Sequence, residues 1–593
     1  MATVMGRSSA ASWATDTCLL MRNDSRPAGE GLRRPAPESE LKREILARLA
    51  AATGGLAPTD YLHAWWEWYR DLAAQPDRQL ALARSAVEKL LDSWQFAARA
   101  ALGPPLEPQG AQAGFASSAW KLWPFNAMAR GYANWTSWWQ EALDPEVPGT
   151  TANLARVRVA ARLLLEAASP ANFLYTNPEL LQRTAEECGQ NLVRGLRYWL
   201  EDMQQTVQGR RVPHFEVGRQ VAITPGKVVF RNRLIELVQY APQTPTVYAE
   251  PVLITPAWIM KFYILDLSPR NSLVRYLVER GHTVFMISWK NPTATDRDLT
   301  LEDYVQLGFL DALTEVTRIV PDRRVHAVGY CIGGTLLCIA ATLLACRDRF
   351  NFATLSLLAA LADFSEPGEL SVFISPSQLA LLEALMHQSG VLESNRMAAA
   401  FTLLRSQDLL WTPAVETYVR GERPTITDLM AWNADGTRMP WRMHSEYLER
   451  LYLKNELARG EFTVAGHRLD LSTLRAPMFV VGTETDHVTP WRSVYNVRRL
   501  TRSCDFTFVL TSGGHNAGII SGPEHPRRRF RSLTWTTETD SLSPDDAVAM
   551  APMQAGSWWP AWQQWLARHS AAEQQPAREV TGAEEAPGRY VHE

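Results

Sequence analysis

The sequence predicts an α/β protein: a mostly parallel sheet with an inserted cap, preceded by a helical N-terminal domain. Three observations carry this prediction. From about residue 219, short β-branched runs alternate with helix-length segments, the pattern of parallel strands joined by crossover helices. The interval from Asp363 to Pro477 is too long for one crossover and is helical in texture. Between about residues 39 and 210, apolar residues recur three or four apart, as one helical face requires.

Taken in order, residues 1–38 are rich in Ser, Arg, Pro, Gly and Glu without apolar periodicity and are expected to form a disordered leader. A mainly helical domain follows over 39–218, read from ELKREILARLAAA and NPELLQRTAEECGQNLVRGLRYWLEDM. The catalytic domain is placed at 219–568, with strands expected at Thr246–Thr255, Thr283–Ser288, Val325–Tyr330, Thr354–Leu358, Met478–Gly482 and Phe506–Leu510. Helices are expected at Pro269–Glu279, Leu301–Ile319 and Gly333–Ala345, and the cap at about 363–476. The tail, 569–593, has the leader's composition and is expected to be disordered.

Composition narrows the function classes. A chain of 593 residues that is 46% hydrophobic can bury a large core. A formal charge of −3 gives no sequence-wide attraction to nucleic acid or anionic lipid. Six cysteines form no CxxC pair, so reduced thiols and a cytoplasmic location fit best. The N-terminal residues lack the basic start and long apolar run of a secretory signal. The most apolar stretch, Leu336–Ala345, is about half of the roughly 20 residues a membrane helix needs. Twenty-two tryptophans cluster partly at Trp65, Trp66 and Trp68 and at Trp135, Trp138 and Trp139, suited equally to a core and to a greasy ligand or partner.

The chemistry concentrates in Gly329-Tyr-Cys331-Ile332-Gly333, where a strand passes directly into a helix through G-x-C-x-G. This is a nucleophile elbow with sulfur in place of the hydroxyl, and its glycines answer the crowding of strand against helix. A thiol at a helix N-terminus meets unpaired N–H groups that favour the thiolate. Cys331 is therefore the candidate nucleophile, whereas Cys338, Cys346, Cys504, Cys188 and Cys18 read as packing residues. The α/β-hydrolase chain order then requires an acid and a histidine after later strands. Asp486 follows the strand at 478–482, with Glu484 as the less favoured acid; His515 follows the strand at 506–510, with His487 as the less favoured base because adjacent residues point apart. The oxyanion hole is expected from the backbone N–H of Ile332 and one from the loop after the first core strand, for which Trp258 is the candidate and ordinary packing the alternative. No phosphate loop, dinucleotide fingerprint or zinc-like spacing is present, so no cofactor and no metal are expected.

Several segments resemble the poly(3-hydroxyalkanoate) synthases: Thr176-Asn-Pro-Glu-Leu180, Gln190 to Gly195, Lys261-Phe-Tyr-Ile-Leu-Asp266-Leu, Gly281 to Pro292, Gly329 to Gly334, Asp363 to Gly368, Trp432-Asn-Ala-Asp435 and Gly482 to His487. The resemblance spans roughly 130–530. It implies the single-subunit type of enzyme, polymerising (R)-3-hydroxyacyl-CoA thioesters into polyester with release of CoA, with Cys331 acylated, His515 as base and Asp486 as the acid that either orients His515 or helps activate the attacking hydroxyl. It also implies homodimerisation, a place on the polyester granule surface and granule-associated partners. Two departures stand out. Met260 replaces the Asn common before this Lys, and Gly513-Gly-His515-Asn516-Ala-Gly518 replaces the common Ser-Gly-His-Ile. Sulfur also has a chemical rationale, since acyl transfer from CoA to a thiol keeps the thioester's activation. The readings to be separated from polymerisation are a thioesterase or depolymerase on the same triad and a catalytically silent granule scaffold. Arg270, Arg442 and Arg492 are candidates for CoA contact against a default of solvated surface.

Overall fold

The computed structural model describes residues 44–48, 50, 57–108, 113–144, 153–208, 215–347, 352–535 and 542–593. The leader and Cys18 lie outside these residues. An eleven-stranded sheet organises the catalytic half. In chain order its strands are β1 (Gly226–Arg231), β2 (Ile235–Tyr240), β3 (Val252–Thr255), β4 (Val284–Trp289), β5 (His326–Tyr330), β6 (Thr354–Leu358), β7 (Met478–Thr483), β8 (Phe506–Thr511), β9 (Arg529–Trp535), β10 (Met553–Ala555) and β11 (Glu584–Glu585). Their order across the sheet is β10-β9-β8-β7-β6-β5-β3-β4-β2-β1-β11. The six strands from β8 to β4 run parallel, and the flanking strands on both sides are antiparallel.

Strands β3 to β8 are buried along their whole length, which explains their continuous apolar runs. The expected strand at Thr246–Thr255 is in fact two. Thr246–Val247 pairs with Gln575–Pro576, and β3 begins only after Pro251, which has no N–H to offer a ladder. The expected helix at Leu301–Ile319 contains a π-helical stretch, Tyr304–Leu310, and the one at Pro269–Glu279 contracts to Leu273–Val278 behind the Ser272 cap.

The N-terminal region supplies α1 (Pro58–Ala73), α2 (Pro76–Leu102), α3 (Phe125–Ala142), α4 (Leu154–Ala167), α5 (Pro178–Glu186) and α6 (Gln190–Gln208). Trp65, Trp68 and Trp139 pack around Ala64, Leu154 and Val157, while Trp66, Trp94 and Trp135 stand exposed, so the tryptophan clusters are split between core and surface. These helices dock on the segment between β6 and β7. Arg156 donates to the carbonyls of Val372 and Ile374, Arg162 pairs with Glu369, and Gly195 lies so close to Tyr418 that a Cβ would overlap its carbonyl. That inserted segment contains the helices α8 (Pro376–Ser389), α9 (Ser394–Leu404) and α10 (Trp441–Tyr447), the elbow helix Ile332–Cys346 being α7.

The tail is ordered, contrary to its polar composition. Glu585 pairs with Lys227, and the buried Glu236 carboxylate accepts the N–H groups of Arg589 and Tyr590. Lys261 Nζ donates to the carbonyls of Tyr590 and Glu593. Two apolar anchors, Val580 and Val591, are buried. Backbone pairing to fixed acceptors does not need apolar periodicity, so composition alone misjudged the segment. Cys188, Cys346 and Cys504 are exposed, not core; Cys338 is buried, and burial pushes its thiol up to about 12.

Candidate active site

The elbow forms where β5 ends and α7 begins. Cys331 holds φ +54° and ψ −129°, a conformation costing a non-glycine residue about 1–3 kcal/mol that only over-determined surroundings sustain. A Cβ at Gly329 would overlap Gly334, and one at Gly333 would overlap the Thr255 carbonyl and stand 2.6 Å from that of Pro256. Only glycine permits these approaches. They bring the loop after β3 directly over the turn, beside the first helical residue, Ile332, whose N–H has no helical partner. Cys331 is 8% exposed.

His515 and Asp486 come from the loops after β8 and β7, at the same carboxyl edge of the sheet. Asp486 Oδ2 lies 2.8 Å from His515 Nδ1. The carboxylate is fully enclosed and saturated. Oδ1 accepts from the N–H groups of Val488 and Thr489, each at 2.9 Å, and Oδ2 from the hydroxyls of Thr483 and Thr489, each at 2.8 Å. Burial pushes its pKa up, but the imidazole and these donors outweigh burial and bring it down to about 2. Burial likewise disfavours the charged form of His515. Asp486 first, then the nearby Cys331, by charge and by hydrogen bonding, reverse that and hold the imidazole well above its ordinary range. The structure thus brings Cys331, His515 and Asp486 together.

The rivals are placed differently. Glu484 pairs with Arg529. His487 Nδ1 has no hydrogen-bond partner among the described residues, and burial followed by the field of Arg405 lowers its pKa. The Trp258 ring is core, packed against Trp289, Tyr304 and Tyr447, while its backbone lies in the loop over the elbow. Arg442 and Arg492 are held by Glu446 and Asp545, whereas Arg270 has no ion pair among the described residues. No group of three or more His, Cys, Asp or Glu that could hold a metal occurs among the described residues, nor does any helix long and apolar enough to cross a membrane.

Several neighbouring residues acquire a role only through the fold. Tyr330, beside the nucleophile, stacks on His515 at 5.7 Å and donates to Asn516 Oδ1 at 2.6 Å, so the unusual Asn after His515 has a buried partner. The segment Trp432–Thr437 clasps the loop over the elbow: Trp432 Nε1 donates to the Lys261 carbonyl, Tyr263 donates to Asp435, and Met260 pairs with Gly436. Gly368, at φ +80°, abuts the carbonyls of His487 and Val488 and so fixes the acid's loop against the inserted segment. An apolar cavity of about 430 Å³ opens from Ile332 and is walled by Ile259, Leu370, Phe373, Met439 and Tyr447. A second, more polar cavity of about 740 Å³ runs between α3, α4 and the loop bearing Asp486.

Comparison with known proteins agrees with this architecture. Residues 111–277 match the family described as poly-beta-hydroxybutyrate polymerase N-terminus, and residues 250–521 match the alpha/beta hydrolase fold. The chain is 37% identical to the poly(3-hydroxyalkanoate) polymerase of Methylorubrum extorquens over 95% of this chain and 93% of that one. It is 35% identical to the poly(3-hydroxyalkanoate) polymerase subunit PhaC of Rhizobium meliloti over 87% and 86%, and 38% identical to that of Cupriavidus necator over 74% and 75%. The chain belongs to the poly(3-hydroxyalkanoate) polymerase family, acyltransferases built on the α/β-hydrolase fold.

Proposed function

We propose that the chain polymerises (R)-3-hydroxyacyl-CoA through an acyl-cysteine at Cys331. The observation that carries this reading is the strained Cys331 facing an imidazole that Asp486 holds at 2.8 Å. His515 takes the thiol proton; the sulfur attacks the thioester carbonyl, and backbone N–H groups of Ile332 and of the Trp258 loop stabilise the oxyanion. Collapse breaks the carbon–sulfur bond to CoA, which leaves as the thiol with the proton from His515. The 3-hydroxyl of another unit then attacks the acyl-cysteine, forming the ester and returning the proton to sulfur through His515.

Asp486 acts here by orienting His515. Five donors already occupy its two oxygens, which offer about four lone-pair sites. With its oxygens engaged in holding the imidazole and its own loop, the carboxylate is better placed to orient His515 than to take a proton from a substrate hydroxyl.

The apolar cavity beside Ile332 favours a polyester over water as the acyl acceptor's surroundings. CoA is released as product, with no resident cofactor. By kinship, the enzyme works as a homodimer on the granule surface in the cytoplasm, with granule-associated partners. The exposed stripes Leu80, Val87, Leu91 and Trp94 on α2 and Val193, Leu196, Leu200 and Met203 on α6 suit such a surface. The purified protein given (R)-3-hydroxybutyryl-CoA is expected to release CoA and form insoluble polyester. CoA release with only soluble 3-hydroxybutyrate would instead assign a thioesterase.

A further inference from the structure

The cavity that opens from Ile332 is apolar on most sides, yet its wall includes the imidazole of His444. His444 lies on α10, is 2% exposed, and its Nδ1 is sealed without a hydrogen-bond partner among the described residues. Burial pushes its pKa down to about 4, so the ring is neutral at neutral pH and offers one N–H and one lone pair. A neutral imidazole set in an otherwise apolar cavity wall is costly to leave unpaired on its open side, and it points to a ligand that pairs with it there. With Nδ1 sealed, the ring's remaining capacity is at Nε2.

Position says what that ligand is. Tyr447, one turn beyond His444 along α10, also lines the cavity, as does Ile332, the residue next to the nucleophile. The two rings are 6.2 Å apart. His444 and Tyr447 therefore stand one ring spacing apart on the same cavity wall. In an oligo(3-hydroxyacyl) chain, successive carbonyls are separated by four bonds, about 5 Å at ordinary bond lengths. A chain with its first carbonyl on Cys331 that enters this cavity would carry its later ester carbonyls along the wall that holds His444. The volume, about 430 Å³, falls in the range that holds drug-sized ligands, far more than one four-carbon unit fills. A long alkyl side chain would fill the same space but leave the imidazole unpaired.

Resting on the polymerase reading above, we propose that His444 is a specificity-determining residue whose Nε2–H donates to an ester carbonyl of an oligoester chain held in this cavity. It makes the enzyme favour a chain of esters over an alkyl chain of equal length. The test is single-turnover CoA release by the full-length protein from three thioesters: (R)-3-hydroxybutyryl-CoA, the CoA thioester of its linear trimer, and (R)-3-hydroxydecanoyl-CoA. In His444→Leu the trimer-to-monomer rate ratio should fall about tenfold, the worth of one hydrogen bond, while the decanoyl-to-monomer ratio should hold or rise. His444→Gln, which keeps a donor, should recover part of the trimer ratio. Should His444→Leu not fold, His444→Phe carries the same expectation. An unchanged trimer ratio, or equal falls for trimer and decanoyl, would overturn the assignment while leaving the polymerase reading in place. A wild-type protein that releases no CoA from any of the three would overturn that reading, and this inference with it.

Discussion

The hydroxyl of Thr437, on the segment inserted between β6 and β7, donates to the carbonyl of Trp258 at 2.6 Å. Both groups are buried, and the bond fastens the inserted segment to the loop that lies over the nucleophile. Thr437→Val keeps the shape and removes the donor, leaving a buried carbonyl unpaired at a cost of about 1–3 kcal/mol. The expected result is a fall in the rate of CoA release of about tenfold or more, with alkylation of Cys331 by iodoacetamide little changed. Equal loss of both would point to general unfolding.

Asp486→Asn should lower CoA release by roughly 10³–10⁴-fold, the scale on which triads depend on a correctly oriented imidazole. The pH behaviour has a definite sign. The folded carboxyl of Asp486 sits at about 2, below its ordinary value, so its contribution to stability is full above about pH 4 and is lost as pH falls through 2. His515 is raised, so its contribution is full below about 6.5 and is lost as pH rises through the folded value. NMR titration of the His515 ring should show its pKa move down in Asp486→Asn.

Gly368→Ala should destabilise the protein by more than about 1 kcal/mol, because φ +80° is costly for any side chain and the new Cβ would stand 2.7 Å and 2.8 Å from the His487 and Val488 carbonyls. A lowered Tm together with slower CoA release is expected, since those carbonyls belong to the loop that carries Asp486. A neutral Tm would contradict the packing described.

Asn516→Leu removes the acceptor of the Tyr330 hydroxyl, whose burial leaves few alternatives. It should cost about 1–3 kcal/mol by chemical denaturation. Tyr330→Phe combined with Asn516→Leu should cost less than the sum of the two single changes, because the pair is then removed together.

Much of this arrangement was readable from residue order alone. The strands at 326–330, 354–358, 478–483 and 506–511 are buried on both faces and so announce themselves as apolar runs, and the elbow glycines follow from the close approach of β5, α7 and the loop after β3. The strands β1 and β2 were passed over because they lie toward an antiparallel edge, where Lys227, Arg231 and Glu236 interrupt the pattern. Glu236 itself explains the misread tail: one buried carboxylate, set 353 positions away in sequence, captures the Arg589 N–H, and no local pattern reports such a contact. The roles of Thr437, Tyr330 and Asn516 depend on contacts between distant segments and became visible only with the fold.

The most direct test is the intact mass of the protein trapped after brief exposure to (R)-3-hydroxybutyryl-CoA, followed by peptide mapping. The adduct should carry one or more 3-hydroxybutyryl units on the peptide containing Cys331, be released by hydroxylamine as a thioester is, and be absent in Cys331→Ala. Polyester formation by Cys331→Ala, or an acyl group mapped to any other residue of the wild-type chain, would contradict the account.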